Sequence, residues 1–227
     1  MKRVIGAHHE FHDEGYVLDW AERFRPTPDR RELFALMCLE LEAHVPPDGC
    51  IVELGIGPGY LAEHVLGLWP RVRYVAIDFS EPMLAIARKR LSPYGDRVHY
   101  IRADLTTEGW WTEVKAPVEA IVSTWALHDL GSQDCVAAVY AHCASLLMDD
   151  GLLLNGDFFK PDEARHAYEP GRFDIATHLQ LLGRAGFTET ACLGVLEQEI
   201  ESPTAAQNYA CFRGVIAGCV EKRDAAG

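Results

Sequence analysis

The sequence lacks several features that would place it in a specialised class of protein. It has no uninterrupted apolar run of 18 residues, the length that a membrane-spanning helix needs. Its first residues, 1–10, contain no apolar stretch of the kind found in a secretion signal. Its seven cysteines are odd in number and include no Cys-x-x-Cys pair. We therefore expect a cytoplasmic protein whose cysteines are buried free thiols.

Basic residues are also scarce. The chain has 21 lysines and arginines against 34 acidic residues, which gives a net charge of −13. Nucleic acids and anionic membrane surfaces bind to basic surfaces, so this balance disfavours both as partners. At 227 residues the chain predicts one domain with a substantial core. We divide it into N-terminal lid or helices at 1–47, a core at 48–217 and a tail at 218–227.

The most informative segment is a glycine-rich turn. Residues 53–59 read Glu-Leu-Gly-Ile-Gly-Pro-Gly and follow a short apolar run, and a helical pattern begins at Tyr60. Glycines allow unusual φ values and let a ligand approach the backbone closely. An acidic residue, Asp78, ends the next apolar run, 72–77. A glycine-rich turn with an acid about 20 residues later predicts a nucleoside site, in which the acid accepts hydrogen bonds from ribose.

The glycine spacing separates this site from two better-known nucleotide sites. Dinucleotide-binding folds use Gly-x-Gly-x-x-Gly, and phosphate loops end in Lys-Ser or Lys-Thr, and neither occurs here. The pattern Glu-x-Gly-x-Gly-x-Gly resembles the first motif of class I S-adenosylmethionine-dependent methyltransferases. Three further segments, 97–105, 120–128 and 152–157, have the order and spacing of that family's third, fourth and fifth strands. The resemblance covers roughly residues 48–217.

The remaining pattern alternates between strands and helices. Helices are predicted from Thr27-Pro28, from Ser80, over 132–147 and over 172–185, whereas residues 1–25 are predicted to be irregular. Such alternation predicts an α/β fold with a largely parallel sheet and helices on both faces. The resemblance implies a Rossmann-like, doubly wound, seven-stranded sheet in the order 3-2-1-4-5-7-6, with one antiparallel strand.

The resemblance also implies a cofactor, S-adenosylmethionine, and a product, S-adenosylhomocysteine. The glycine loop would hold the amino acid portion of the cofactor, Asp78 the ribose, and Asp104 the adenine amino group, with Phe79 and Met83 beside the ring. The alternative for Phe79 and Met83 is ordinary helix packing. The predicted cofactor contacts are Glu53, Gly55, Gly57, Gly59, Asp78, Phe79, Met83, Asp104, Leu105 and Ser123.

One histidine is a candidate catalytic group. His128 follows the predicted fourth strand, and an ordinary histidine pKa of about 6.5 suits a general base at neutral pH. Asp129 could orient it, and the alternative is a histidine that only lines the pocket. The predicted acceptor contacts are Tyr16, Trp20, Trp125, His128 and Phe158. The cluster His8, His9, His12 and Asp13 does not have the spacing of a structural zinc site, so no metal is predicted.

Three functions remain to be compared. We expect a methyltransferase that moves a methyl group to a small-molecule acceptor, with no nucleic acid or membrane partner and with a homodimer left open. The alternative from another class is a non-catalytic protein that binds S-adenosylmethionine or a partner and retains the fold. A nicotinamide oxidoreductase is disfavoured by the glycine spacing and by the absence of a Tyr-x-x-x-Lys pair.

Overall fold

A computed structural model of the chain describes residues 9–115, 117–164 and 167–218. His8 and almost all of the predicted tail, including Cys219, lie outside these ranges. The seven strands are β1 (Cys50–Leu54), β2 (Arg73–Asp78), β3 (Val98–Arg102), β4 (Val118–Thr124), β5 (Leu147–Phe158), β6 (Glu189–Leu196) and β7 (Tyr209–Val215). They form one sheet in the order β3-β2-β1-β4-β5-β7-β6. This order confirms the predicted fold class.

Strand direction follows the prediction as well. β1 pairs in parallel with both β2 and β4, and the parallel region continues to β3 on one side and β5 on the other. β7 runs antiparallel to β5 and to β6. The central strands are buried along almost their whole length, which explains their continuous apolar runs, since helices cover both faces of such a sheet.

In the part of the chain that the structure describes, six α-helices accompany the strands. They are α1 (Glu14–Arg23), α2 (Pro28–His44), α3 (Tyr60–Leu68), α4 (Glu81–Arg90), α5 (Gln133–Leu146) and α6 (Ile175–Ala185). Alternate residues of a strand point to opposite faces, and α2, α3 and α4 share one core cluster with Ile51 and Tyr74. α5 and α6 share the other cluster with Val52 and Val75. In the described ranges no helix has the length and apolar character that a membrane crossing needs.

Helix starts agree with the capping residues in the sequence, with one exception. The Thr27 hydroxyl accepts a hydrogen bond from the Arg30 N–H, and Pro28 occupies the first turn of α2. The prediction that residues 1–25 are irregular was wrong, because α1 spans Glu14–Arg23. The side chain of Asp13 caps α1 by accepting a hydrogen bond from the Tyr16 N–H at 2.7 Å. The only buried residues of α1 are Val17 and Ala21, so the sequence shows no clear helical period of apolar residues.

The fourth strand is shorter than predicted. β4 ends at Thr124, and Trp125 has a φ of +49°, a backbone conformation that a bulky residue rarely adopts. The Trp125 N–H donates to the Gly156 carbonyl at 2.8 Å, and a single helical turn, Leu127–Leu130, follows. His128 therefore lies in a tight turn beyond the strand and not on the strand itself. The six described cysteines are all free thiols.

Two glycines of α6 allow a matched test of backbone conformation. Gly183 lies inside the helix and Gly186 follows its end with a φ of +107°, and an added Cβ would meet no atom at either position. We expect Gly183→Ala to raise the free energy of unfolding by about 0.5–1 kcal/mol, because alanine favours helix. Gly186→Ala should lower it by about 1–2 kcal/mol, because a side chain disfavours this φ. Urea unfolding measures both, and changes of the same sign would contradict the assignment.

Candidate active site

A cavity of about 570 Å³ opens at the carboxyl ends of β1, β2, β4 and β5. Because parallel strands end at the same edge of the sheet, side chains that are distant in sequence meet there. Twelve of the predicted site residues lie on its wall: Glu53, Gly55, Gly57, Asp78, Phe79, Met83, Leu105, Tyr16, Trp20, Trp125, His128 and Phe158. Their individual roles remain predictions.

The three glycines of the loop between β1 and α3 have different structural roles. All have positive φ, at +67° for Gly55, +51° for Gly57 and +80° for Gly59. A Cβ at Gly55 would lie 2.4 Å from the Ala126 Cβ, and one at Gly59 would touch Ala87 of α4. A Cβ at Gly57 would meet no atom of the protein and would project into open space beside the cavity. Gly57 is therefore the position where a ligand can approach the backbone.

Asp78 joins the end of β2 to the glycine loop. Its carboxylate accepts hydrogen bonds from the Gly57 N–H at 2.8 Å and from the Ser80 N–H at 2.9 Å. Burial raises its pKa to about 6, although both hydrogen bonds act in the opposite direction. A buried carboxylate at this strand end, already fixed in position, can accept further hydrogen bonds from ligand hydroxyls.

Glu53 is a second buried carboxylate on the same side of the cavity. The Tyr74 hydroxyl donates to it at 2.7 Å, but burial outweighs this bond and raises the pKa of Glu53 to about 8. The acid is thus mostly neutral at pH 7 in the protein alone. A ligand ammonium group beside it would favour the ionised form, as the amino acid portion of the predicted cofactor requires.

The N-terminal segment forms one wall of the cavity beside Asp78. The Phe79 ring packs edge-on against His9 and His12, with ring centroids 5.6 and 5.3 Å apart. The Ser80 hydroxyl donates to the Phe11 carbonyl, which fastens the segment to the start of α4. The helical turn Glu10–His12 and α1 therefore lie beside the residues predicted to surround the nucleoside.

Three predicted cofactor residues lie off the wall. Gly59 packs against α4, as described above. The Ser123 hydroxyl is fully buried and donates to the Leu54 carbonyl at 2.9 Å, so it joins β4 to β1. Asp104 accepts from the Thr106 N–H and hydroxyl at 2.8 and 2.7 Å, while its neighbour Leu105 faces the cavity.

His128 is held by the carboxylate of a residue that is distant in the sequence. Asp157, at the end of β5, accepts from the His128 backbone N–H at 2.9 Å and from ring Nδ1 at 2.7 Å. Asp129, the residue predicted to orient the histidine, lies 3.4 Å from Nε2 instead. Burial lowers the pKa of His128, but the charges of Asp157 and Asp129 outweigh it and raise the pKa to about 9. The pKa of Asp157 is lowered in turn, because the contacts with His128 outweigh its burial.

Sequence reasoning missed three charged residues of this region: Arg30, Asp157 and Arg172. Asp157 carried a usable signal, since it ends the strand next to β4. Arg172 lies over the Phe158 ring at 4.2 Å and comes from the loop after β5, where no pattern marks it. Arg30 lies over the Trp125 ring at 4.9 Å and comes from a helix of the N-terminal region.

Comparisons with known proteins agree with this geometry. The family model described as a methyltransferase domain matches residues 51–151, which contain the glycine loop, Asp78 and His128. This match and the fold support a class I S-adenosylmethionine-dependent methyltransferase. Its cofactor is S-adenosylmethionine. The residues fit this group, because Gly57 leaves room at the backbone and two buried acids, Glu53 and Asp78, face the same part of the cavity.

The three relatives described below share less than 30% sequence identity with this chain. An uncharacterized methyltransferase of Geobacillus is 28% identical over 82% of this chain and 87% of its own length. A malonyl-acyl-carrier-protein O-methyltransferase of Magnetococcus marinus is 29% identical over 45% of this chain, and the match spans only 36% of that relative's length. The N-methyltransferase NodS of Bradyrhizobium japonicum, solved with S-adenosylhomocysteine, is 17% identical, with a TM-score of 0.64 over 86% of this chain and 90% of its own. This last likeness shows the fold.

No metal-binding cluster occurs in the described part of the chain. Nowhere in those ranges do three His, Cys, Asp or Glu side chains converge as they would around an ion. His9, from the histidine-rich N-terminal cluster, instead accepts a hydrogen bond from the Phe11 N–H at 3.1 Å.

The glycine loop can be tested with a strain-matched control. We expect Gly57→Val to abolish binding of S-adenosylhomocysteine in a folded protein, because the side chain would fill the space beside the backbone. Gly95→Val is the control, since Gly95 also has a positive φ of +56° and open space but lies away from the cavity. Isothermal calorimetry should show no binding for the first variant and normal binding for the second. Normal binding by folded Gly57→Val would contradict the loop assignment.

The pKa of Glu53 predicts a difference in the pH dependence of stability. Between about pH 4.5 and 8 the folded protein keeps a proton on Glu53 that the unfolded chain releases, so its free energy of unfolding falls as pH rises. Glu53→Gln lacks this titration. We therefore expect the variant to gain stability relative to wild type by up to about 1.4 kcal/mol per pH unit in this window.

Urea unfolding at a series of pH values measures this difference. The exposed residue Glu32 on α2 supplies the control, and Glu32→Gln should follow the wild-type curve. Parallel curves for wild type and Glu53→Gln would show that Glu53 is ionised in the folded protein throughout.

Proposed function

We propose that this protein transfers a methyl group from S-adenosylmethionine to a small-molecule acceptor by in-line displacement. One observation carries the proposal. A single cavity joins the glycine loop and Asp78, the proposed cofactor contacts, to His128 and a set of aromatic side chains. Donor and acceptor can therefore meet inside one cavity, which such a transfer requires.

The size and lining of the cavity support a small acceptor. Its volume of about 570 Å³ falls in the range of small-molecule sites. Tyr16 and Trp20 of α1 lie on its wall, and the Tyr60 hydroxyl donates to the Ala21 carbonyl at 2.6 Å, which ties α1 to the start of α3. The net charge of −13 adds to this, because it disfavours a phosphate backbone as acceptor.

The protein's contribution is mainly to position the partners. When bound, the cofactor supplies a methyl group on a positively charged sulfonium, which is already reactive. Gly57 offers the backbone, Asp78 accepts hydrogen bonds, and Glu53 gives a carboxylate that ionises beside an ammonium group. The aromatic wall of Trp20, Trp125 and Phe158 excludes water and offers ring faces that favour a cation.

His128 is the group that can remove a proton from the acceptor. The Asp157 carboxylate accepts a hydrogen bond from Nδ1–H at 2.7 Å, so the lone pair of the neutral ring is on Nε2. The Phe158 ring lies against the imidazole at 4.9 Å between centroids and fixes its plane. Asp157 is thus a positioning residue, and His128 is the proposed base.

The protonation state of His128 sets the pH dependence. With a pKa of about 9, only about 1% of the ring is neutral at pH 7 in the protein alone. Histidine must be neutral to accept a proton, so the reaction from the free enzyme should accelerate as pH rises towards 9.

The first experiment asks whether transfer occurs. The protein is incubated with S-adenosylmethionine labelled in the methyl group and with a fractionated extract of low-molecular-weight metabolites. Label in a small-molecule product supports the proposal. Binding of the cofactor without any transfer would favour the alternative of a non-catalytic binding protein.

The histidine can be tested without knowing the acceptor. We expect the NMR titration of His128 in wild type to give a pKa near 9, and Asp157→Asn to lower it by about 1–3 units, because burial then dominates. Asp129→Asn should have a smaller effect, since its carboxylate lies farther from the ring. A histidine that titrates near its ordinary pKa in wild type would contradict this assignment.

Once an acceptor is found, turnover tests the base role. His128→Ala should lower kcat by about 10²–10⁴ while S-adenosylhomocysteine binds nearly as before. The rise of kcat/KM with pH should vanish in this variant and shift to lower pH in Asp157→Asn. The exposed His99 on β3 provides the control variant His99→Ala. An unchanged pH profile in His128→Ala would make His128 part of the cavity wall only.

A further inference from the structure

Arg30 is a buried cation on the wall of the active-site cavity. It lies in the first turn of α2, is 8% exposed and lines the cavity. Its guanidinium lies 4.9 Å from the centroid of the Trp125 ring and 5.5 Å from that of Phe24. Burial lowers the pKa of Arg30. Burying a guanidinium is costly unless it is paired, so its surroundings need an explanation.

No side chain or carbonyl in the described ranges pairs with this guanidinium through a hydrogen bond or an ion pair. Arg172, the other buried arginine of the cavity, is different. Its Nε donates to Glu169 at 2.7 Å and its Nη2 to the Ala205 carbonyl at 2.5 Å. Of the two arginines, Arg30 therefore has more donors available to a ligand.

The carboxylates around the cavity are engaged elsewhere. Glu53 accepts from Tyr74, Asp78 from two backbone N–H groups, and Glu10 from the Tyr16 hydroxyl at 2.6 Å. Asp129 faces His128. Glu197 influences Arg30 electrostatically, but it accepts the Tyr209 hydroxyl at 2.8 Å. None of these carboxylates is hydrogen-bonded to Arg30, so a bound molecule can supply its partner.

The position of Arg30 places that molecule away from the cofactor acids. Trp125, which Arg30 covers, directly follows β4, and Glu197 and Tyr209 belong to the β6–β7 side of the sheet. Glu53 and Asp78 lie at the carboxyl ends of β1 and β2, on the opposite side of β4 in the strand order. Arg30 thus belongs to the half of the cavity that contains Trp125 and Phe158.

We propose that Arg30 binds a carboxylate of the acceptor, so that the acceptor is a small carboxylic acid. This proposal rests on the proposed function. A guanidinium presents a planar set of donors that a carboxylate can meet with two parallel hydrogen bonds. Phe24, Phe34 and Trp125 surround this position and line the cavity, so the body of the acid is apolar or aromatic.

Binding of carboxylic acids to the protein loaded with S-adenosylhomocysteine tests the proposal. The probes are monocarboxylic acids from benzoate to octanoate, each compared with its primary amide by calorimetry. We expect at least one acid to bind wild type about 10-fold or more tightly than its amide. Arg30→Met should lose about 10- to 100-fold in affinity for that acid, as for other hydrogen bonds to charged groups, and Arg30→Lys should lose less.

Two controls separate the possible failures. Arg31→Met changes the next residue of α2, which is exposed and lies off this cavity, and should bind the acids as wild type does. S-adenosylhomocysteine and 5′-methylthioadenosine, which lacks the amino acid carboxylate, are titrated into wild type and Arg30→Met. Each should bind the variant within about twofold of its wild-type affinity. Thermal unfolding verifies that both arginine variants at position 30 are folded.

Several results would overturn the proposal. If Arg30→Met or Arg30→Lys weakens S-adenosylhomocysteine but not 5′-methylthioadenosine, Arg30 holds the carboxylate of the cofactor. If wild type binds S-adenosylhomocysteine but prefers no acid over its amide, or if the variants bind the acids normally, Arg30 does not recognise an acidic acceptor. Failure of wild type to bind S-adenosylhomocysteine at all would instead count against the proposed function.

Discussion

The reversal of winding direction at the centre of the sheet is the constraint on which the site depends. From β1 the chain winds outward to β2 and β3, and then it returns to β4 and winds the other way to β5. The helices α3 and α4 therefore pack on one face and α5 and α6 on the other, which leaves a crevice at the carboxyl ends of β1 and β4. The buried acids Glu53, Asp78 and Asp157 all lie at strand ends on this edge. Elsewhere in a sheet covered on both faces, a carboxylate would find neither a ligand nor water, so the topology decides where chemistry can be built.

Much of the fold could be predicted because its signals are local. The strands β1, β2 and β4 contain short apolar runs, β3 alternates between apolar and polar residues, and each of α2, α4, α5 and α6 starts at a Ser, Thr or Asp that caps it in the structure. The two errors arose where tertiary contacts override local pattern. α1 has too few buried residues to show a helical period, and its place is set by contacts such as the hydrogen bond from Tyr60 to Ala21. β4 ends at Thr124 because Trp125 has a positive φ and its backbone N–H donates to the Gly156 carbonyl. No sequence pattern predicts this change of backbone conformation.

The two halves of the site differ in how far the sequence reveals them. The proposed cofactor half comes from Glu53–Asp78, a continuous stretch whose glycines and acids have a characteristic spacing. The proposed acceptor half is assembled from α2, the turn after β4, the end of β5 and the loop that follows. Sequence adjacency suggested Asp129 as the partner of His128, but strand register decides otherwise. Thr124 pairs with Gly156, so Asp157 emerges beside the turn that carries His128. Arg30 has no signal of this kind, because its position depends on how α2 packs over Trp125.

The pattern of buried charge argues that the cavity is shaped by ligands more than by stability. Burial raises the pKa values of Glu53 and Asp78 and lowers that of Arg30, which means that the folded protein disfavours the charged form of all three groups. Such groups lower the free energy of unfolding, and apolar side chains of similar size would avoid that loss. The loss is recovered when a molecule of complementary charge binds. In our proposals the two acids match the cationic donor, and Arg30 matches an anion on the far side of the cavity. Because opposite charges are favoured in the two halves, each half selects its own molecule and disfavours the other, and the transferred group must pass between them near His128.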